Sequence, residues 1–368
     1  MSSSPPKIVA DDSQAIVQEM IAAYEAMTGS ILSDAQPERL LIDLLAYRET
    51  LVRTAINDAA RQNLVAFARP PMLDYLGELV GVTRLPAQSA SALVRLTLAA
   101  PLTRTLMIPA GFRVATASGV QFHTREDVLA NIGASVIDIT VFAVEPGPAG
   151  NGLALGKINR PVDCLGVTIL SVSNLTVTVD GADIECDEHL RERIKLAPER
   201  FSTAGSRLAY RYHAISAHPD IIDVAVDSPE PGVVRLFPLS KSGLPSAALR
   251  HAVAKACSDE KVRPLTDQVQ VLSPQEITYS VQARLLVFRD AHAECVLEAA
   301  RSRLVALTTQ LSATLGRDIV PSQLIAALSV PGVYQVELIA PATTLDVPVY
   351  GWPHCIGINL VLAGERDG

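Results

Sequence analysis

Apolar side chains recur at intervals of three and four through the first ninety residues, which is the period of an amphipathic helix. Residues 11–27 and 38–68 both follow this pattern, and Pro70 and Pro71 stop the second run. At 1.5 Å per residue, the second helix would be about 45 Å long. A third helix is expected from Met72 to Val80, with Gly81 as its C-cap. The sequence therefore predicts a helical arm over residues 1–88.

The long helix predicted over residues 38–68 has an apolar stripe on one side and charged side chains on the other. The stripe residues are Leu41, Leu44, Leu45, Leu51, Val52, Ala55, Ile56 and Ala59, and the charged face includes Glu49, Arg53, Asp58 and Arg61. The helix before it is short and would cover about half of a rod of this length. We therefore expect the stripe to take part in an intermolecular helical bundle that covers the remainder.

From Pro86 the pattern changes to the alternation of β-strands, with Val94, Leu96 and Leu98 separated by polar residues. Residues 112–116 and 120–124 flank a three-residue loop that ends in Gly119, a hairpin signal. Further strands are expected at 137–143, 167–170 and 175–179. These strands predict a β-rich domain over residues 89–185.

Beyond Asp187, predicted helices alternate with strands, which indicates two α+β modules at residues 186–275 and 276–368. Helices are expected at 187–196, 207–217, 246–258, 291–315 and 321–328, and strands at 221–226, 233–237, 269–272, 278–288, 333–338 and 356–362. Residues 214–229 align without a gap on residues 326–341, so that Pro219 matches Pro331. Either a duplicated module or a commonly occurring helix-turn-strand arrangement explains this match. The predicted fold class is a multidomain α+β protein, consisting of the arm, the β-rich domain and the two modules.

Composition excludes several classes of function. The formal net charge is −8 and no basic cluster occurs, so nucleic acid is not an expected partner. The longest uncharged runs are broken by prolines and polar residues, and neither a membrane span nor a signal peptide is predicted. Five scattered cysteines fit a reducing cytoplasm. The mean hydropathy of +0.26 is high, and either an apolar core or apolar surface buried between subunits would account for it.

No set of residues with catalytic, metal or cofactor spacing stands out. Cys186 and His189 lack the second ligand pair of a closed zinc site, so an exposed polar helix start is the simpler interpretation. His213 and His218 read as turn and surface residues. The segment 147–152 is rich in glycine but lacks the order of a dinucleotide loop. An anion could bind near Thr203–Arg207, although such a segment more commonly forms the start of a helix after a turn. We therefore expect no enzyme, no cofactor and no metal.

Six blocks of sequence, in order, resemble the baseplate J-like wedge proteins of contractile phage tails and related contractile injection systems. They lie at residues 43–61, 62–68, 73–86, 146–151, 190–214 and 263–269, beginning Asp43-Leu-Leu-Ala-Tyr-Arg-Glu. No single block is diagnostic, but their order across residues 40–270 is specific. The last hundred residues match less clearly.

The resemblance implies a structural wedge component of the baseplate, located in the virion tail and assembled in the host bacterial cytoplasm. Its expected partners are a second copy of itself, a smaller baseplate wedge protein, the sheath initiator, and the central hub or spike proteins. Together with the apolar stripe, it places the second copy and the smaller wedge protein in the N-terminal bundle. Phages, tail-derived bacteriocins and other contractile injection systems share this wedge component, so the sequence does not determine which of them the chain belongs to. An alternative is a receptor- or glycan-binding tail module that acts through the β-rich domain, although aromatic residues make up only 4% of the chain.

Overall fold

The computed structural model describes residues 5–201, 206–259, 262–264 and 266–367, which divide into two compact units. The first unit, Met1–Arg84 with Leu190–Ala197, is helical. It contains α1 (Ser13–Thr28), α2 (Pro37–Arg61) and α3 (Met72–Leu79). The Asp12 side chain caps α1 by accepting hydrogen bonds from the amides of Gln14 and Ala15. An apolar cluster centred on Ile21, Leu32 and Ile42 holds α1 against α2.

Helix α2 ends seven residues before the predicted boundary, so the expectation of a helix to Ala68 is wrong. It has 25 residues and is about 37 Å long. After Arg61 the chain turns, and the amides of Phe67 and Ala68 both donate to the carbonyl of Leu64. Ala68 is fully buried, and the Arg191 guanidinium donates to its carbonyl at 2.6 Å. The polar partners of this turn stop the helix before the two prolines are reached.

The second unit, Leu85–His189 with Pro198–Gly368, begins with the β-rich domain. Its eight strands are β1 (Ser91–Leu98), β2 (Leu106–Ile108), β3 (Arg113–Thr116), β4 (Gln121–His123), β5 (Val128–Ala130), β6 (Val136–Ala143), β7 (Ile158–Pro161) and β8 (Ile169–Asn174). Six of them form a sheet in the order β7-β3-β4-β6-β1-β8, and β2 pairs with β5.

The two ends of this six-stranded sheet are joined by the side chain of Asn174, which almost closes it into a barrel. Its Oδ1 accepts from the amide of Ile158 on β7 at 2.9 Å, and its Nδ2 donates to the carbonyls of Ala154 and Thr176. The strand predicted at 175–179 is not regular, because the chain bends after Asn174 and only Val179 forms an isolated bridge, to Ser91. The predicted 112–124 hairpin is present as β3 and β4.

Two α+β modules follow the barrel. The first contains α4 (Asp187–Leu196), α5 (Arg207–Ile215), β9 (Ile221–Glu230), β10 (Val233–Ser240), α6 (Ala247–Cys257) and β11 (Gln268–Val271). The C-terminal half of α4 belongs to the helical unit. The second module contains β12 (Gln275–Phe288), α7 (Ala293–Ser312), α8 (Pro321–Leu328), β13 (Val333–Ala340) and β14 (Gly351–Arg366).

Each module has a three-stranded sheet whose central strand has one antiparallel and one parallel neighbour. The orders are β11-β10-β9 and β13-β12-β14, with β9 and β13 antiparallel to the centre. The buried Asp223 side chain joins the modules by pairing with Arg211 and accepting from the Leu315 amide. The chain is therefore a multidomain α+β protein, as predicted from its sequence. No helix in the described ranges is long and apolar enough to cross a membrane.

Candidate assembly surface

The predicted stripe of α2 lies on the exposed side of the helix. Every one of its residues is exposed, from Leu41 at the start to Ala59 at the end. Leu45, for example, keeps 52% of its surface accessible. The buried residues of α2 are instead Ile42, Ala46 and Asn57. The structure thus brings the eight stripe residues together on one open face, within a unit that buries the opposite face.

Polar groups on the buried side of α2 hold the N-terminal segment of the chain. The Asn57 Oδ1 accepts from the amides of Ile8 and Val9 at 2.9 and 3.0 Å, and its Nδ2 donates to the Val9 carbonyl at 2.8 Å. Arg53 and Arg61 donate to backbone carbonyls of the same segment. This face of α2 is therefore occupied by the chain itself.

The open face is wider than the sequence pattern indicated, because Leu40 and Tyr47 extend it. These side chains are 72% and 60% exposed. With Leu44 and Leu51 they form a second row beside the row that contains Leu45. At 3.6 residues per turn, the predominantly apolar face from Tyr47 to Ile56 spans about 180°, and the exposed Arg48 lies near its middle. Spacing by three and four from Leu44 could have identified both residues.

An arc of this width is larger than a single helix contact needs. A coiled-coil seam is a narrow a/d stripe, and a helix on a globular core uses an apolar face somewhat wider than 100°. Burying one leucine fully is worth about 1.5–3 kcal/mol. The α2 face can therefore supply substantial binding energy to more than one helical partner.

The histidines considered in the sequence have different positions from those expected. His189 is buried, so the interpretation of an exposed helix start holds for Cys186 but is wrong for His189. The Nδ1 of His189 lies 2.5 Å from Glu185, and its Nε2 lies 2.8 Å from the carbonyl oxygen of Ile221. Both ring nitrogens of His189 therefore have partners within the fold.

His213 and His218 are also not surface residues. His213 is half-buried and His218 is buried, and burial lowers the pKa of both rings. The Nδ1 of His218 accepts from the amide of Asp220 at 3.1 Å. In the described part of the chain, no three His, Cys, Asp or Glu side chains converge as metal ligands. Thr203–Gly205, considered for an anion, lies outside the described residues.

A cleft of about 600 Å³ separates the barrel loops from the first module. Asp180, Asp220, Lys241 and Ser246 line it, and the Ser246 hydroxyl donates to the Asp180 carboxylate. The pKa of Asp220 is raised from 3.8 to about 6, mainly by burial; the nearby Lys241 partly opposes this shift and Asp180 adds to it. Of these carboxylates, that of Asp180 is hydrogen-bonded within the fold.

A modular α+β chain with a broad open helix face has surface available to bind other proteins, and comparison with known proteins gives its family. Four family models match in order along the chain. They are the baseplate J-like N-terminal domain (34–91), barrel domain (93–181), central domain (202–273) and C-terminal domain (279–361).

A curated relative, baseplate protein J of Escherichia phage P2, is 37% identical over 221 residues, which are 60% of this chain and 72% of the relative. A chain in the cryo-EM structure of the anti-feeding prophage baseplate matches with a TM-score of 0.42 and 13% identity, covering 93% of this chain and 90% of that one. The chain belongs to the baseplate J-like family. It is a baseplate component.

Proposed function

We propose that this chain is a structural wedge component, in which the open face of α2 binds a second copy and a smaller wedge protein. The observation that carries the proposal is the broad, predominantly apolar face of a helix whose other face is already occupied by its own chain. A two-row face fits a helical bundle with two neighbours. Apolar side chains exposed at this density mark an interaction site.

In this role the chain is structural and carries no enzymatic activity. The wedges join into a ring around the central hub, where the sheath initiator and the hub or spike proteins are further partners. Assembly takes place in the bacterial cytoplasm before the tail is complete. Support comes from family membership and from the hydrogen bonds within the fold that hold the side chains of His189, His218 and Asp180.

The test is co-expression of Leu45→Asp with the neighbouring tail proteins, followed by size-exclusion chromatography. Leu45 is half exposed in the chain alone, so the variant should fold normally. In the bundle the new carboxylate would be buried without a partner, at a cost of several kcal/mol, and the wedge complex should be lost. Ala22→Asp, on an exposed position of α1, is the matched control and should assemble. Normal wedge formation by Leu45→Asp would contradict the proposal.

A further inference from the structure

The joint between the two C-terminal modules is apolar and packed. The ring of Phe237 in the first module stacks on that of Tyr350 in the second, with 4.9 Å between the ring centroids, and Trp352 belongs to the same cluster. The buried Asp223 carboxylate accepts from the Leu315 amide at 2.8 Å across this joint. Because apolar interfaces of this kind restrict relative motion, we expect the two modules to move as one piece.

The joint between the barrel and the first module is polar and contains the cleft of about 600 Å³. A hydrogen bond spans this cleft, because the Ser246 hydroxyl donates to Asp180 and lies 2.7 and 2.8 Å from its two carboxylate oxygens. Asp180 belongs to the barrel loop 177–183, and Ser246 is the N-cap of α6. We call this hydrogen bond the latch. Joints that depend on polar contacts allow domain motion more readily than apolar ones.

The barrel holds Asp180 in a fixed backbone conformation. Its φ of +68° is in the left-handed region, where it is the only residue other than glycine in the described part of the chain. The next residue, Gly181, is held by Asn151, whose side chain accepts from the Gly181 amide and donates to its carbonyl, each at 2.8 Å. A residue with a side chain keeps such a conformation where its surroundings impose it. The barrel itself therefore positions the Asp180 carboxylate for the latch.

Asp220 brings a second carboxyl group to the cleft, from the module side. Within the described ranges its hydrogen bonds use the backbone, since its amide donates to His218 and its carbonyl accepts from the Lys241 amide. The ionisable side chains that line the cleft there are Asp180 and Asp183 of the barrel loop and Asp220 and Lys241 of the module, while His218 lies in the turn before β9. When Asp220 is ionised, carboxylates from both sides of the joint therefore share one lysine.

We propose that this cleft is a hinge that protonated Asp220 keeps closed, with the hydrogen bond between Ser246 and Asp180 as its latch. Loss of the proton places like charges on opposite walls of a partly buried cleft. Opening relieves their repulsion and hydrates both carboxylates. The barrel then changes its angle to the two modules, which move together. The hinge does not depend on the proposed function of the α2 face.

The pKa of Asp220 sets the direction of the response. It is raised from 3.8 to about 6, mainly by burial; Lys241 partly opposes this shift and Asp180 adds to it. In the open cleft the carboxyl group is hydrated, and its pKa returns toward 3.8. The closed form therefore binds the proton more tightly, and its advantage is lost as the pH rises through about 6. From pH 5 to pH 7.5 the ratio of closed to open molecules should fall about tenfold.

His218 would respond in the opposite direction. Burial lowers the pKa of its ring, so the closed form disfavours the charged imidazolium. Protonation of His218 on acidification would therefore open the cleft, whereas protonation of Asp220 closes it. The direction of the pH response distinguishes the two groups.

Single-molecule energy transfer between two dyes tests the hinge in the full chain. The dyes are attached at Ala117→Cys on the barrel and Lys255→Cys on α6, two exposed positions that do not line the cleft. The cysteines that are not buried are first replaced by serine or alanine, namely Cys164, Cys186, Cys295 and Cys355. A second dye pair at Lys255→Cys and Arg303→Cys spans the two modules and should give the same transfer efficiency at every pH.

Asp180→Gly identifies the open form, because it removes the latch and suits the left-handed backbone. The parent chain should shift about tenfold toward the transfer efficiency of this variant between pH 5 and pH 7.5. Asp220→Asn cannot ionise and should stay closed at both pH values. Asp183→Asn is the matched control, because Asp183 lines the same cleft but is exposed, and it should respond as the parent does.

A pH response that persists in Asp220→Asn would overturn the proposal, as would opening on acidification. A parent chain with one transfer efficiency from pH 5 to pH 7.5 would also overturn it. An equal change in the dye pair that spans the two modules would show that the motion is not at this hinge. If Asp180→Gly failed to fold, the comparison of the parent chain with Asp220→Asn would still decide the outcome.

Discussion

Asn57 determines which face of α2 remains open. Its side chain is buried and links the helix to Ile8, Val9 and Asp11 through four hydrogen bonds. An apolar residue here would remove these hydrogen bonds and release the N-terminal segment. We expect Asn57→Ala to lower the free energy of unfolding by about 1–3 kcal/mol, with faster amide exchange at Ile8 and Val9.

Urea unfolding and amide hydrogen exchange would measure both effects. Asn63→Ala is the control, because Asn63 is exposed and its side chain donates only to the carbonyl of Ala59, one turn earlier. That variant should change the free energy of unfolding by less than about 0.5 kcal/mol. Unchanged exchange at Ile8 and Val9 in Asn57→Ala would show that the segment is held by other contacts.

Asp220 makes stability depend on pH in the opposite direction to a salt-bridged carboxylate. Its pKa is raised by burial from 3.8 to about 6, so the unfolded chain loses this proton first as the pH rises. The free energy of unfolding therefore decreases as the pH rises from about 4 to 6, and it stays lower above that range. We expect Asp220→Asn to raise the free energy of unfolding at pH 7 by about 1–2 kcal/mol, a value reduced for partial exposure.

The midpoints of urea unfolding at pH 4, 5, 6 and 7 would measure the difference in stability between Asp220→Asn and the parent chain. This difference should vanish near pH 4. The His218 contact is preserved, because it uses the backbone amide of Asp220. Asp183→Asn is the control, since Asp183 lines the same cleft but is exposed. The same gain in both variants would mean that overall charge, not burial of Asp220, is the cause.

At the scale of elements, the turn between α8 and β13 depends on one glycine. Gly332 has φ +94°, and a Cβ there would lie 2.6 Å from Val296 on α7. We expect Gly332→Ala to destabilise the chain by about 2–3 kcal/mol, measured by urea unfolding. Gly357 has open space for a Cβ, and Gly357→Ala should have little effect. Equal unfolding midpoints for the two variants would show that this turn tolerates a side chain.

The sequence predicted the elements with strong periodicity and missed the shortest ones. Helix α8 matches its predicted bounds, and the aligned segments 214–229 and 326–341 both form a helix, a turn and a strand. Strands β2, β5 and β7 have only three or four residues, too few for alternation to be visible. Their positions are set by pairing with distant strands and by the Asn174 side chain, which no local pattern contains.

For α2, the sequence identified the stripe but could not tell which face the fold would bury. Apolar stripes normally face the core, yet here the contacts of Asn57, Arg53 and Arg61 turn the polar side inward. Long-range hydrogen bonds to residues 6–11 determine this orientation.

For the whole molecule, the high mean hydropathy has two sources. The barrel and the C-terminal module each contain a large buried core. In addition, α2 exposes Leu40, Leu44, Tyr47 and Leu51 along with the predicted stripe. The chain belongs to a family of baseplate components, and large exposed apolar patches are typical of proteins that bind other subunits.

Because the buried cores and the exposed α2 face are different parts of the molecule, we expect that substitutions on α2 can change solubility and assembly without changing folding. Because Leu40, Leu44 and Leu51 are exposed, replacing all three with Gln should change the free energy of unfolding by less than about 1 kcal/mol. The same variant should be more soluble in ammonium sulfate, since it removes three exposed leucines, and should fail to enter a wedge complex. Replacing the buried Leu324 and Leu328 of α8 with Gln should instead unfold the C-terminal module. If the α2 variant unfolded as readily as the α8 variant, the open face would be part of the fold rather than a surface kept for other subunits.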